Sequence, residues 1–177
     1  MEQTKFLTVM AVLDDETQER MNALQQKILS TGLVGTQTMQ IPFHISLGSY
    51  PPDCGDEVLR SVRETAGKQT SFPIKLIGIH SFSERVLFLQ PEENERLTAL
   101  HRVFDCAYPQ GFPWVPHATL FCGEEAEVRA AKKMIEDTVF PIDARVTAIE
   151  LGRFFPAEKI ERAYLLPGTS GKEEAAE

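Results

Sequence analysis

Cysteine, tryptophan and excess positive charge are all scarce in this chain. Its 177 residues include three cysteines and one tryptophan, and Lys+Arg 18 against Asp+Glu 26 leaves a formal charge of −8. Cys54, Cys106 and Cys122 are odd in number and have no paired spacing, which argues against a disulfide framework and for a reducing compartment. Without a cationic surplus the chain cannot draw much counterion-release energy from a long phosphate backbone, so general duplex DNA binding is disfavoured. That balance leaves room for a small nucleotide or an RNA end held by a few local groups. Long hydrophobic runs are also missing: the apolar stretch from Phe6 to Leu13 stops at Asp14 and Asp15, too short to span a bilayer, and no basic leader precedes it. The expectation is a soluble, cytoplasmic, monomeric protein with no membrane partner. Cys-x-x-Cys, His-x-His, Gly-x-Ser-x-Gly and glycine-rich phosphate-loop patterns are absent, so a zinc site, a serine-hydrolase elbow and a triphosphatase all find no support. No metal and no cofactor are expected.

What the chain does have is an ordinary globular composition, with 42% hydrophobic and 25% charged residues, written as a faint duplication. Glu19-Arg20-Met21-Asn22-Ala23-Leu24 returns as Glu95-Arg96-Leu97-Thr98-Ala99-Leu100. Phe43-His44-Ile45-Ser46-Leu47 is echoed by Pro116-His117-Ala118-Thr119-Leu120, Glu57-Val58 by Glu127-Val128, and Phe72-Pro73-Ile74 by Phe140-Pro141-Ile142. The four echoes keep their order, and the separation within each pair shrinks steadily, as short deletions would produce. Residues 5–82 and 85–166 therefore read as two repeats within one domain, 1–166, followed by a mobile tail at 167–177 that lacks core-forming residues.

Periodicity divides each half alike. Strands are predicted at 5–13, 41–50, 74–82 and 85–90 in the first pass, with helices at 16–30 and 53–66 between them. In the second, helices at 92–106 and 124–138 flank a strand at 115–122, and strands at 142–155 and 160–166 close the chain. The links within 74–90 and 142–166 are of hairpin length, which favours antiparallel sheets and an α+β class over a doubly wound parallel sheet.

The repeat places a histidine, one apolar residue and a hydroxyl residue at matching points of both halves. Residues two apart on a strand face the same side, so His44 and Ser46 share one face and Ile45 and Leu47 the other. Likewise His117 and Thr119 point one way, and Ala118, Leu120 and Cys122 the other, which removes Cys122 from any ligand set with His117. If the halves pack about a pseudo-twofold axis, the two imidazole–hydroxyl pairs face each other. Histidine has an unperturbed pKa of about 6.5, so one ring can accept a proton while its partner donates one near neutrality. Such acid–base help is worth roughly 10² to 10⁴ in rate per group. Ser46 and Thr119 can hydrogen-bond the non-bridging oxygens of a phosphate undergoing in-line attack.

These paired motifs resemble the His-x-Ser/Thr signatures of the 2H phosphoesterase superfamily, which includes 2′-5′ RNA ligase-like proteins and cyclic nucleotide phosphodiesterases; Ser46 stands where Thr is commoner. The resemblance covers nearly the whole chain. It implies a bilobal, pseudo-twofold fold with a central cleft between the sheets and helices outside, and cleavage of a 2′,3′-cyclic phosphate or a related cyclic or 2′-5′ phosphodiester. A non-catalytic module holding a nucleotide or RNA end in the same cleft, and 2′-5′ strand joining by the same acid–base pair, are the alternatives.

Other residues carry weaker expectations. Tyr50, Phe112 and Trp114 are candidates to stack on a base, against the blander reading of loop packing. Arg153, with Lys159, Arg162 and Arg85, is a candidate source of positive charge for the substrate. His80 and His101 lack a following hydroxyl motif and read as non-catalytic; His101 aligns with Gln25 in the repeat.

Overall fold

A computed structural model describes residues 3–168. The element order is β1 (Phe6–Leu13), α1 (Asp15–Leu29), β2 (His44–Tyr50), α2 (Gly55–Ala66), β3 (Phe72–Phe82), β4 (Val86–Pro91), α3 (Glu95–Val103), β5 (Ala118–Cys122), α4 (Glu125–Met134), β6 (Ile142–Phe154) and β7 (Glu158–Tyr164). Local chemistry sets these boundaries. Asp14 caps α1 by accepting the Thr17 N–H at 3.0 Å, and Asn94 caps α3 by accepting that of Leu97 at 3.0 Å. A reciprocal Glu124–Glu127 capping box opens α4. Ser83 and Glu84 lie at φ of 46° and 50°, the left-handed pair that a tight β3–β4 hairpin requires.

The expected α+β architecture is present, and its two halves share one seven-stranded antiparallel sheet of order β2-β1-β6-β3-β4-β5, with β7 also on β6. Replacing each element of one half by its counterpart in the other (β1 by β4, β2 by β5, β3 by β6) turns this order into its own reverse. The third strand of each half crosses over: β6 lies beside β1, and β3 beside β4. The motif strands β2 and β5 are left at opposite ends of the strand order, yet the sheet curls enough to bring them into contact.

One face of the sheet is covered by helices and carries Leu7, Val9, Ala11 and Leu13 of β1 with Ile45, Leu47, Leu87, Leu89, Ile149 and Leu151, all buried. The other face carries Thr8, Met10 and Val12, in register with Gly152, Glu150 and Ala148 of β6, and opens toward a cleft. Glu150 is 2% exposed there and is matched by Arg162, whose Nε donates to its Oε2 at 2.7 Å. Helices also reach across the halves, α1 touching β5 and α3 touching β2. Among the described residues no helix is long and apolar enough to cross a membrane. Of the expected tail, Gly168 N–H donates to Ser71 Oγ at 3.0 Å, and residues 169–177 lie outside the described residues.

Close approach of the halves is tightest at Gly48, where an added Cβ would sit 1.8 Å from the Phe104 carbonyl oxygen, a backbone atom that cannot rotate away. Gly48→Ala is expected to destabilise by about 1–3 kcal/mol in urea unfolding, the range typical of overpacking. Gly55→Ala is the control, because its Cβ would meet only Leu7 Cδ1 at 3.9 Å. Equal midpoints for the two variants would contradict the close contact.

Candidate functional site

Strand β2 begins at His44, and its register with β1 pairs Val12 with His44 and Met10 with Ser46, so both motif side chains stand on the cleft face. Ile45 and Leu47 are buried in the core beneath them, as alternation requires. In the second half Thr119 pairs with Phe88 on the cleft face, with His117 immediately before β5. His44, Ser46 and Thr119 line one cavity of about 490 Å³. His117 borders an adjoining cavity that shares Ser46. The charge of His117 acts on His44 through space.

The two imidazoles are held the same way. His44 Nδ1 lies 2.7 Å from the Pro42 carbonyl oxygen, and His117 Nδ1 lies 2.7 Å from that of Val115, in each case two residues upstream. A carbonyl only accepts, so each Nδ1 carries a proton and donates it; each Nε2 is left to take or give one. Phe82 and Phe88 further fix His117 by edge contacts, with ring centroids 4.8 and 5.4 Å away. Burial is the largest influence on both rings and holds their pKa values below the ordinary 6.5; the Pro42 and Val115 carbonyls oppose this, and for His44 the charge of His117 adds to it.

No charged side chain lines the cavity that holds His44, Ser46 and Thr119 among the described residues; its polar walls are hydroxyls and amides such as Thr36, Gln37 and Gln40. Burial also pushes the Cys122 thiol up, so it adds no charge. Cys122 itself is a correction to simple alternation. Leu87 faces Phe121 and Phe88 faces Thr119, so Leu120 is an extra, bulged residue. That bulge shifts the parity of everything after it, turning Phe121 into the core and Cys122 toward the cleft. Among the described residues no group of three or more His, Cys, Asp or Glu is placed to hold a metal ion.

The candidate substrate contacts fare differently. Tyr50 pairs with Leu7 and packs against the core on the helix side, not in the cleft, because it falls on the opposite parity from Ser49 and Thr8. Burial, then Cys106 and Asp105, push its hydroxyl up to about 12. Arg153 also pairs with Leu7, which places it on the helix-side face, where it is ion-paired with Glu158 at 3.1 Å. Arg85 is ion-paired with Glu124 at 2.8 Å. Trp114 lines the smaller cavity with Ser46 and His117; one face stacks on His101 with centroids 3.9 Å apart, and its Nε1–H donates to the Ser46 carbonyl at 2.9 Å. Phe112 is exposed beside the smaller cavity, and Lys159 and Arg162 line a separate cavity, of about 620 Å³, on the far side of the segment around Gln40–Pro42.

Sequence reasoning missed the cavity's aromatic wall. Phe6 stacks on Phe154 with centroids 5.3 Å apart, and Phe155 meets both edge-on; all three line the cavity with His44. The available signal was parity, since Phe6 and Phe154 are cross-strand partners on the cleft face. Residues 36–43 form another wall and have no periodicity to read; the strand predicted from residue 41 begins only at His44.

Solved structures share this fold. TT0787 of Thermus thermophilus superposes with a TM-score of 0.64 at 16% identity, covering 93% of this chain and 100% of that one. LigT of E. coli in its apo form gives 0.61 at 17% identity over 93% of this chain and 99% of its own. LigT complexed with 3′-AMP gives 0.57 at 16% identity, over 92% and 99%. No curated protein matches the sequence. The family model of the 2′-5′ RNA ligase superfamily matches residues 13–154, well over half of the chain and the span that holds both histidine motifs. The chain thus belongs to the 2′-5′ RNA ligase superfamily of 2H phosphoesterases.

Proposed function

We propose that this protein hydrolyses a 2′,3′-cyclic phosphate, or a related cyclic or 2′-5′ phosphodiester, with His44 and His117 as the acid–base pair. The observation that carries the reading is the matched anchoring of the two rings, each Nδ1 bound to a backbone carbonyl and each Nε2 left available. A neutral Nε2 takes a proton from water as the water oxygen bonds to phosphorus. The bond from phosphorus to the 2′ or 3′ oxygen breaks, and the protonated Nε2 of the partner delivers its proton to that oxygen, leaving a phosphomonoester. Ser46 and Thr119 hydroxyls donate to the non-bridging oxygens as charge is redistributed. Strand joining would set the same pair to a different nucleophile: one Nε2 takes the proton of a 5′-hydroxyl as its oxygen bonds to the phosphorus of a 2′,3′-cyclic end, and the partner protonates the 3′ oxygen as its bond to phosphorus breaks, leaving a 2′-5′ diester.

The cavity's lack of charged walls favours a substrate of low charge. A cyclic phosphodiester carries a single negative charge, which one imidazolium balances, whereas a polyphosphate would find no further cation in the walls of that cavity. A nucleoside base fits the Phe6–Phe154–Phe155 wall, since aromatic faces stack on any base. The fold relative LigT has been captured with 3′-AMP, a nucleoside monophosphate of the kind this hydrolysis would release. The reading therefore takes a small nucleotide or an RNA terminus as substrate, and neither duplex DNA nor a membrane as partner.

Three outcomes are expected. With nucleoside 2′,3′-cyclic phosphates, His44→Ala and His117→Ala each lower kcat by about 10² to 10⁴, and EDTA leaves turnover unchanged. Undiminished turnover in both variants, or its loss on chelation, would reject the two-histidine mechanism. Because both rings sit below 6.5, the singly protonated enzyme peaks at acid pH, so kcat/KM should fall by about tenfold per pH unit above 6.5; a profile rising through pH 8 contradicts this. Phe155→Ala should raise KM by about tenfold for nucleoside substrates, the weight of one stacked base, and leave a ribose cyclic phosphate without a base unaffected. An equal change for both substrates would remove the base from that wall.

A further inference from the structure

The motif strands are edge strands, and each carries a bulge at the residue after its hydroxyl. On β2, Met10 faces Ser46 and Val9 faces Gly48, leaving Leu47 as the extra residue. On β5, Leu120 is the extra residue in the equivalent place. A bulge removes its residue from the ladder and orphans a backbone carbonyl, which near the core needs another donor. Both carbonyls find one, and from the opposite half. His101 of α3 places Nδ1 2.7 Å from Leu47 O, and Gln25 of α1 donates Nε2–H to Leu120 O at 2.8 Å. Both donors are largely buried, Gln25 at 6% exposure and the His101 side chain at 12%. They occupy matching positions of the repeated helices.

We propose that Gln25 and His101 are reciprocal positioning residues. Each holds the bulge that sets the direction of the adjacent hydroxyl and histidine on the other half's motif strand. The inference rests on the phosphoesterase reading for its kinetic consequence, but not for its geometry. The role of His101 is hydrogen-bond donation, not proton transfer: a carbonyl fixes its Nδ1 proton, its ring face is stacked on Trp114, and Asp105 Oδ1 lies 3.7 Å from its Nε2. Glutamine at the matching place in α1 makes the same bond, so an amide should replace the imidazole without loss.

The test compares His101→Leu, His101→Gln and Gln25→Leu with wild type, by kinetics on nucleoside 2′,3′-cyclic phosphates and by amide and imidazole NMR with inorganic phosphate. His101→Leu and Gln25→Leu should each lower kcat by about 10- to 100-fold with KM within about threefold, and His101→Gln should recover kcat to within about threefold of wild type. In the spectra, His101→Leu should move the Ser46–Gly48 amides and the His44 ring signals, and His101→Gln should return them. Folded His101→Leu and Gln25→Leu proteins with wild-type kcat, or a His101→Gln as impaired as His101→Leu, would overturn the proposal. Should the wild type turn over none of these substrates, the phosphoesterase reading fails by itself, and the spectra still decide: unmoved Ser46–Gly48 signals in His101→Leu overturn the clamp, and moved ones restored in His101→Gln support it.

Discussion

Strand β1 has a partner from its own half on one edge only; its other edge is hydrogen-bonded to β6, the third strand of the second half. Strand β4 stands in the same relation to β5 and to β3. Each half thus satisfies its central backbone groups with a strand that belongs, by sequence, to the other. A buried N–H or C=O without a partner costs about 1–3 kcal/mol, and here a whole ladder on each side depends on the exchange. Neither half can present its motif strand without the other in place.

That exchange has a cost at the ends of the sheet, where β2 and β5 each have one free edge. Those edges are closed by side chains and loops of the opposite half. Trp114, His101 and the Tyr108 N–H serve β2, while Gln25, Gln37 and the Thr36 N–H serve β5. The motif histidines are therefore tied to one another through several independent contacts, and the cleft between them is a product of the whole sheet.

Charge is kept out of the cavity that holds His44. Arg63, Arg85, Arg129 and Arg153 form surface pairs with glutamates, of the exposed kind that contributes little stability. Inside, hydroxyls, amides, the His44 imidazole and an aromatic wall line that cavity, with His117 on the adjoining one, and burial lowers the pKa of both rings. In such surroundings the phosphate oxyanion of the proposed substrate would favour protonation of one of the rings.

The order of strands and helices was legible in the chain, because alternation and helical spacing are local: β1, α1, α2, β3 and β6 fall within a few residues of their predicted limits. So was the sharing of one face by His44 and Ser46, since two residues on one strand need no other part of the protein to align them. What folding alone decided was everything set by pairing between distant residues. One inserted residue, Leu120, turned Cys122 toward the cleft; the register with Leu7 placed Tyr50 and Arg153 on the wrong side of the sheet; and the stacking of Phe6 on Phe154 built a wall that no local pattern announces. A strand's own sequence says which residues lie together, but the face that becomes a cleft is chosen by its neighbours in the sheet.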